Sequence, residues 1–462
     1  MTSDSPAPTT RAPLGGPVLV TGVGVTVVMW IAWFVLHMPG VRLDARIATP
    51  ILGGVLLLGL IVGVARSGRG RPGWLIGLLA GLLSALLNLL LLGMRVVEQP
   101  ESTEQMGEVA NKLRPDAAFV VIGFMLACAL AGAIAGAIGG ALRMPRSGEN
   151  AQRWVGRLGV VSAFSVLPLI VVGGAVTSAE AGMSVPDSVT SYGAVSFLFP
   201  LSLMGEDRIF LEHSHRLLGS LVGLVTLIWA IYTTLVDRRA RMKTLVWALW
   251  LLVVVQGIFG IIRVGEDLRV VGVVHGVFGQ LVFVSAVMLA AAQTNRFLDA
   301  PGINDDETAR AARRARVFSI ITLVAVLVQL VFGALYRHLG ADKGVHALYA
   351  HIGWSFVVFA MVIVCGILCM KGSRDSVAGG VLRRVGVLQH ALVAWQFLLG
   401  WAALGMAPPS KADRPIPSAD ELASAAPIEA VEAIMTTAHQ ASGALVFASV
   451  ALAVVWSRRL SR

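Results

Sequence analysis

The sequence predicts an all-α integral membrane protein with about twelve transmembrane helices. Hydrophobic residues make up 56% of the 462 residues, and charged residues make up only 14%. Soluble domains carry about 25% charged residues, so the composition excludes an ordinary water-soluble fold. Apolar runs of about 20 residues, long enough to cross a bilayer as a helix, recur along the whole chain. The lipid bilayer is therefore the first expected partner.

Each span is predicted from one apolar run bounded by charged, glycine or proline residues. The first run is too long for the core of a signal peptide and lacks a clear small-residue cleavage site, so we expect it to remain as a span. The predicted spans lie near residues 17–37, 47–65, 74–94, 117–142, 158–178, 214–236, 244–262, 270–292, 317–337, 346–370, 385–406 and 436–456.

The formal net charge of +10 is distributed in alternation along the chain. This pattern predicts a multi-pass protein of a bacterial-type cytoplasmic membrane, with both termini and every basic cluster in the cytoplasm. It does not predict a nucleic-acid partner. Opposite loops are mixed or acidic, as at Asp413, Asp420, Glu421, Glu429 and Glu432. The basic clusters, one after every second span, are Arg66, Arg69 and Arg71; Arg143, Arg146, Arg153 and Arg157; Arg238, Arg239, Arg241 and Lys243; Arg310, Arg313, Arg314 and Arg316; Lys371, Arg374, Arg383 and Arg384; and Arg458, Arg459 and Arg462.

A polar, basic segment at 143–157 divides the spans into four and eight. Residues 1–145 are predicted to form a four-helix block of unknown role. Residues 153–462 are predicted to form an eight-helix unit with related halves, 153–295 and 312–462. Two pairs of segments align between the halves: Val172–Ser178 with Phe332–His338, and Gln256–Gly260 with Gln396–Gly400. The eight helices therefore read as two pseudo-symmetric four-helix bundles, and we expect this unit to insert and act without the first four helices.

Four histidines lie at matching places near the starts of long apolar runs: His215, His275, His351 and His439. A small residue follows each at i+4, where it shares the helix face of the histidine: Gly219, Gly279, Ser355 and Gly443. An imidazole can ligate a metal, and a missing side chain leaves room for a flat macrocycle. The pattern predicts two bis-histidine haem sites at one membrane depth. The other five histidines are expected to be interfacial, hydrogen-bonded residues: His37, His213, His338, His346 and His390.

Residues from about 158 to 462 resemble the haem A synthase family. The best mark is Glu212-His213-Ser214-His215-Arg216 at the start of a helix, a Glu-x-x-His-Arg motif. The supporting stretches follow in order: GAVTSAEAGMSVPD at 174–187, QGIFGIIR at 256–263, HGVFGQLVF at 275–283, GALYRH at 333–338 and HQASGALV at 439–446. The resemblance implies oxidation of the C8 methyl group of haem O to a formyl group, for cytochrome oxidase assembly.

The resemblance also implies roles for the histidines. His215 and His275 would hold the substrate, haem O, and His351 and His439 would be axial ligands of a haem b. Glu212 lies three residues before His215 on the same helix face and could move protons beside the reacting edge. Its alternative is a solvated loop acid, or an acid at the helix start that is favoured by the helix dipole.

Arg216 and Arg337, with Arg263 and Arg269, could pair with the haem propionates. They could equally be snorkelling anchors.

The chain departs from the family in its first outer loop, where members often carry a cysteine pair. Here the loop reads Val185-Pro186-Asp187-Ser188, and the three cysteines, Cys128, Cys365 and Cys369, lie in apolar runs. Haem O synthase, oxidase assembly factors and a second copy of the chain are candidate partners, and the sequence does not identify the electron donor or the oligomeric state. Two alternatives also place histidines on helices: a two-haem electron carrier of cytochrome b type, and a haem transporter or chaperone.

Overall fold

The computed structural model describes residues 14–68, 71–143, 150–266, 269–301, 306–371, 376–407 and 415–460. Five residues of the predicted charge pattern lie outside these ranges: Arg69, Arg146, Arg374, Asp413 and Arg462. So do residues 144–149 of the predicted linker. Within the described ranges the chain is helical, with two isolated antiparallel bridges and no β-strand.

Twelve described helices are long and apolar enough to cross a membrane, which confirms the predicted number and class. Several begin earlier than their apolar runs, because polar first turns extend the helix beyond the apolar stretch. The helices are α1 Gly15–His37, α2 Ala45–Ala65, α3 Gly73–Val96, α4 Ala117–Ala141, α5 Ala151–Ser178, α6 Asp207–Val236, α7 Ala240–Glu266, α8 Arg269–Gln293, α9 Asp306–Leu339, α10 Gly344–Met370, α11 Val377–Met406 and α12 Ala430–Leu460.

Helices α9 and α10 form one continuous helical segment, Asp306–Met370, that turns back on itself. The hydroxyl of Ser319 lies 3.2 Å from the thiol of Cys365, and the indole N–H of Trp354 donates to the carbonyl oxygen of Ala325 at 2.9 Å. In a straight helix, residues this far apart in sequence would be tens of ångströms apart. The segment is therefore an antiparallel helix pair.

The connections lie on two opposite sides of the helix bundle. On one side, called here the histidine side, Arg42 pairs with Asp207, and Asn111 contacts Gly193. On the other side, called the basic side, arginines donate to the ends of neighbouring helices. These contacts are Arg143 to Val64, Arg157 to Arg66, Arg239 to Ala292, and Arg459 to Leu298. The basic clusters thus cap helix carbonyl groups as well as marking one side.

The first four helices pack through small residues and one buried polar network. Helices α3 and α4 approach closely because glycines face each other, with Gly77 and Gly81 against Gly132 and Gly136. Such small-residue contacts are typical of membrane helices. The amide of Asn88 accepts from the indole N–H of Trp30 at 2.9 Å and lies 3.2 Å from the hydroxyl of Ser84, as expected for a helix-packing residue.

The N-terminal four-helix block shares a hydrophobic core with the helices that follow it. Trp30 and Trp33 from α1 belong to the same buried cluster as Trp154 from α5 and Phe210 from α6. The Trp33 and Phe210 rings stack at 5.8 Å. Helix α5 begins at Ala151, inside the predicted linker. The polar segment therefore divides the sequence, while the packing continues across it.

Helices α5–α8 and α9–α12 form two bundles, and the end of the first helix of each bundle contacts the last helix of the other. In the first bundle α5 packs against α6 and α8, and α7 packs against both of these. The end of α5 reaches the last helix of the other bundle, where the hydroxyl of Thr436 donates to Ser178 at 2.8 Å. The end of α9 reaches back to α8, where His338 contacts Gly272. Because of these two contacts, both histidine pairs lie in one interior.

Candidate functional site

The predicted histidines meet in pairs at the histidine side. His215 on α6 and His275 on α8 face each other with ring centres 6.4 Å apart and ring planes at 75°. His351 on α10 and His439 on α12 face each other at 6.1 Å and 78°. The second and fourth helices of each bundle therefore supply one imidazole each, in the same arrangement.

A glycine on the preceding helix lies against every one of the four imidazoles. A Cβ atom built at Gly173 would lie 2.8 Å from Cε1 of His215, and one at Gly333 would lie 3.0 Å from Cε1 of His351. The corresponding contacts are 3.2 Å for Gly260 with His275 and 3.1 Å for Gly400 with His439. Glycine is needed at these positions because any side chain would push the ring out of place.

One turn before each of these glycines, a backbone carbonyl group faces the ring. Nδ1 of His351 donates to the carbonyl oxygen of Gln329 at 3.0 Å. The equivalent carbonyls belong to Leu169 for His215, Gln256 for His275 and Gln396 for His439. Nδ1 of His215 and of His275 falls short of hydrogen-bond geometry. Nδ1 of His439 lies 3.2 Å from the side-chain amide nitrogen of Gln396. At His351, the proton on Nδ1 leaves the lone pair on Nε2, which is the tautomer that a metal ligand requires.

The two pairs fit a metal held inside a macrocycle. A metal–imidazole bond of about 2 Å places the centres of two imidazoles on opposite sides of one metal about 6 Å apart. The observed separations of 6.4 and 6.1 Å match this value. Among the described residues, no group of three or more His, Cys, Asp or Glu side chains could hold a metal ion. Each pair would supply two imidazoles to a metal, and the remaining positions would be left to a macrocycle.

The small residues at i+4 have two different roles. A Cβ atom at Gly219 would meet nothing within 4 Å, so this glycine leaves open space above His215, as the sequence predicts. At Gly279 and Gly443 the space is taken by the amides of Gln256 and Gln396, at 3.0 and 3.2 Å from the built Cβ. The prediction of open room is therefore wrong for these two, because a glutamine from the preceding helix fills it.

Both histidine pairs line one cavity of about 790 Å³. Its wall includes Gly219 and Gly223 at the first pair and Phe397 and Trp401 near the second. Apolar walls with a few polar groups are typical of cofactor pockets. A single cavity shared by both pairs is consistent with the predicted common depth.

The carboxylate of Glu212 also lines this cavity and is held from two directions. It accepts from the backbone N–H of Val185 at 2.8 Å and pairs with the guanidinium of Arg216 at 2.7 Å. The side chain is in the second turn of α6, and only 3% of the residue is exposed. It is therefore neither a solvated loop acid nor an acid at the helix start.

Arg216 and Arg337 both line the cavity, and both are already engaged with protein groups. Arg216 donates to the carbonyl oxygens of Val185, Asp187 and Thr190 as well as to Glu212. Arg337 donates to the carbonyl oxygen of Thr177 and lies 3.3 Å from Glu180. Arg263 also lines the cavity, whereas Arg269 is exposed at the start of α8.

The loop Ala179–Glu206 covers this end of the first bundle. Burial, followed by the negative charge of Glu212, raises the pKa of Tyr192 in this loop to about 12. The phenol is therefore neutral near pH 7 and donates to the carbonyl oxygen of Ser184 at 3.0 Å. His213, expected at an interface, is fully buried under this loop, with its ring 4.5 Å from the Phe199 ring.

Sequence reasoning missed several groups that support the site. His338, expected beside an outer loop, lines the cavity against Gly272, three residues before His275. The glycines that face the rings were not predicted, although Gly173 and Gly333 occupy equal places in the aligned segments. Gln329 also went unnoticed. It lies four residues before Gly333, as Gln256 lies before Gly260 and Gln396 before Gly400, and this repeated spacing could have identified it.

The fold and the paired imidazoles define a multi-pass helical membrane protein with two matched histidine pairs in one interior. Residues 153–348 match the COX15-CtaA family model, described as cytochrome oxidase assembly protein, and this segment belongs to that family. The match covers the first histidine pair and ends three residues before His351. It supports a role in cytochrome oxidase assembly. No curated protein and no solved structure matches the chain.

Proposed function

We propose that the protein is a haem A synthase, an oxidoreductase that converts the C8 methyl group of haem O to a formyl group. The observation that carries this proposal is the combination of two imidazole pairs, each at a spacing that suits two ligands of one metal, with a buried and ion-paired carboxylate, Glu212, three residues before His215. Two binding positions with different surroundings suit a division between reaction and electron transfer.

In this proposal, His215 and His275 hold haem O, and His351 and His439 hold a resident haem b. The bound haem iron supplies the redox chemistry, and the protein supplies binding and orientation. The glycines that face the rings fix the imidazoles in place, and Gly219 leaves space for a flat ring over His215.

Glu212 would accept protons as the methyl C–H bonds are broken. Its position is fixed by the N–H of Val185 and by Arg216, so the carboxylate meets the substrate with little reorganisation. Arg216 pairs with this carboxylate and could pass a proton no further, because a guanidinium stays protonated. Arg216 and Arg337 remain the candidate partners of the haem propionates.

The charge pattern further supports a bacterial-type cytoplasmic membrane, with the basic side in the cytoplasm and the histidine side outside. Haem O would then reach the cavity from the outer half of the bilayer. Haem O synthase, oxidase assembly factors and an unidentified electron-transfer partner are the proposed partners, and an external oxidant must take up the four electrons that leave the methyl group.

A two-haem electron carrier is the rival that the histidine pairs alone would fit. A carrier moves electrons across the bilayer and gains from haems near opposite faces. Here both pairs line one cavity at the histidine side, and an ion pair of Glu212 with Arg216 faces only one of them. These features favour chemistry on one haem.

The test is the identity of the haem extracted from cells that make haem O, with and without this chain. We expect haem O alone without the chain, and hydroxymethyl or formyl derivatives with it. Unmodified haem O together with bound haem b would instead indicate a carrier or a chaperone. A variant lacking both His351 and His439 controls for products formed without the resident haem.

A further inference from the structure

The N-terminal four-helix block meets the eight-helix unit at the loop that covers Glu212. Residues 97–116, which connect α3 and α4, form a small hairpin with an antiparallel bridge between Val97 and Leu113. This hairpin lies on the histidine side and contacts the loop Ala179–Glu206. The two segments are far apart in sequence, so the contact is a feature of the assembled fold.

The side chain of Asn111 binds the backbone of the loop at two points. Its amide N–H donates to the carbonyl oxygen of Gly193 at 3.2 Å, and its amide oxygen accepts from the N–H of Val195 at 2.9 Å. Asn111 itself has a φ of 63°, in the left-handed region that asparagine tolerates. The Asn111 amide thus pairs with the loop backbone through one donor and one acceptor, as a neighbouring strand would.

The part of the loop that Asn111 holds is a tight turn. Ser191 and Ala194 exchange backbone hydrogen bonds at 2.8 and 3.0 Å, with Tyr192 at φ 50° and Gly193 at φ 78° between them. Two consecutive positive φ angles define a type I′ turn, which favours glycine at its second central position. The geometry of this turn sets the direction of the chain on both sides.

Further contacts from the same block continue along the loop. The amide oxygen of Gln99 accepts from the N–H of Ser202 at 3.0 Å, and the hydroxyl of Ser202 donates to the carbonyl oxygen of Pro100 at 2.8 Å. Met106 of the hairpin is 2% exposed and belongs to the same core cluster as Phe199 of the loop, which is fully buried. The block therefore holds the loop by packing and by hydrogen bonds.

The inner face of the same loop holds the charged groups of the first site. Val185 donates to Glu212, and the carbonyl oxygens of Asp187 and Thr190 accept from Arg216. The hydroxyl of Ser191, at the start of the tight turn, lies 3.2 Å from Nδ1 of His213. The loop thus lies between the N-terminal block and the carboxylate, and no residue of the block needs to touch Glu212 itself.

We propose that the N-terminal four-helix block positions the reaction site, with Asn111 as a positioning residue that acts through the loop Ala179–Glu206 on Glu212 and Arg216. This inference rests on the proposed function for its effect on catalysis. Its physical part, the ordering of the loop, holds whether or not the substrate is haem O.

The test uses the full-length chain carrying Asn111→Gly, since glycine keeps the left-handed backbone and removes only the amide. Hydrogen–deuterium exchange is measured for residues 184–190, which include the groups that bind Glu212 and Arg216. We expect the exchange rate of these amides to rise about threefold to tenfold, which is the effect of losing one or two hydrogen bonds. We expect kcat for haem O oxidation to fall by a similar factor, with KM and the haem content nearly unchanged.

A control variant separates positioning from general damage. Arg114→Ala removes an exposed ion pair with Asp116 inside the same hairpin and should leave both at the wild-type value. The proposal is overturned if Asn111→Gly leaves exchange at 184–190 unchanged, or if Arg114→Ala raises it equally. A wild-type chain that does not oxidise haem O would refute the proposed function, while the exchange data would still decide the positioning role.

Discussion

The two bundles hold their histidine pairs in the same way but surround them with different chemistry. Three residues before His215 lies Glu212, whereas Leu348 lies three residues before His351. One residue after His215 lies Arg216, whereas Ile352 follows His351. All four of these side chains line the shared cavity. The first pair therefore has an ion pair at the place where the second has two aliphatic side chains.

This difference distinguishes the residues that would hold a haem from the residues that would act on it. The glycines that face the imidazoles and the backbone carbonyls one turn before them occur in both bundles, so they belong to the binding arrangement. The Glu212–Arg216 ion pair, and the contact of Glu212 with the loop at Val185, lie in the first bundle. In the proposed function both bundles would bind a haem through the same imidazole arrangement, and the Glu212–Arg216 ion pair would make the first the site of the reaction.

The largest expected effect comes from removing ligands of the second pair. We predict that His351→Ala or His439→Ala removes most of the resident haem b and its low-spin, bis-imidazole absorption spectrum, because one axial ligand is lost in each case. The measurement is haem content per purified protein. His390→Ala is the matched control, since the ring of His390 lies beside Gly386, away from both pairs. An unchanged spectrum in both ligand variants would refute the assignment.

The next effect should appear only at the first pair. We predict that Glu212→Ala leaves haem b bound to the second pair and slows haem O conversion about 10²-fold or more, the usual contribution of a positioned acid or base. The rate is measured by extracting haems over time. Glu421→Gln, on an exposed turn of the last loop, should keep the wild-type rate. Normal haem A formation by Glu212→Ala would make the carboxylate a structural residue.

The sequence was sufficient for the twelve helices and the histidine pattern. Apolar run length and the alternation of basic clusters depend on the membrane, which acts on every span in the same way. The four histidines could be grouped because each recurs at the same place in its span. Their partners across the cavity, His215 with His275 and His351 with His439, followed from the internal repeat.

Contacts between distant segments could not be predicted in this way. Asn111 carries no signal of its own, because its role depends on where the loop near Gly193 comes to lie. His338 was assigned to an interface because it lies at the end of an apolar run. In the structure the end of α9 packs against α8 of the other bundle, which places His338 against Gly272. The space beside Gly279 and Gly443 was assigned to the macrocycle. The glutamines that fill this space come from another helix, and the sequence does not show that they lie there.

A smaller effect should come from the glycines that face the rings, and it should follow the pair that is touched. We predict that Gly333→Ala weakens haem b binding by about 1–3 kcal/mol, the usual cost of overpacking, because the new methyl group displaces His351. Gly173→Ala should leave haem b in place and weaken haem O binding instead. Titration with each haem measures both. Gly353→Ala adds a methyl group in open space on the same helix as His351 and should change neither. Equal losses at both pairs from either variant would mean that the pairs are not independent.

The smallest effect should come from making the second pair resemble the first at a single supporting residue. The amide of Gln329 donates to the carbonyl oxygen of His351 at 2.9 Å, whereas Leu169 holds the equivalent place for His215. We predict that Gln329→Leu retains haem b and its spectrum but lowers its stability by about 0.5–1.5 kcal/mol, the net value of one hydrogen bond. The ring should stay in place because Nδ1 donates to the backbone of residue 329, which the substitution keeps.

Loss of haem absorbance during thermal unfolding measures the change. A loss of haem as complete as in His351→Ala would show that the amide side chain, and not the backbone carbonyl, orients the ligand, and the common support inferred for both bundles would then fail.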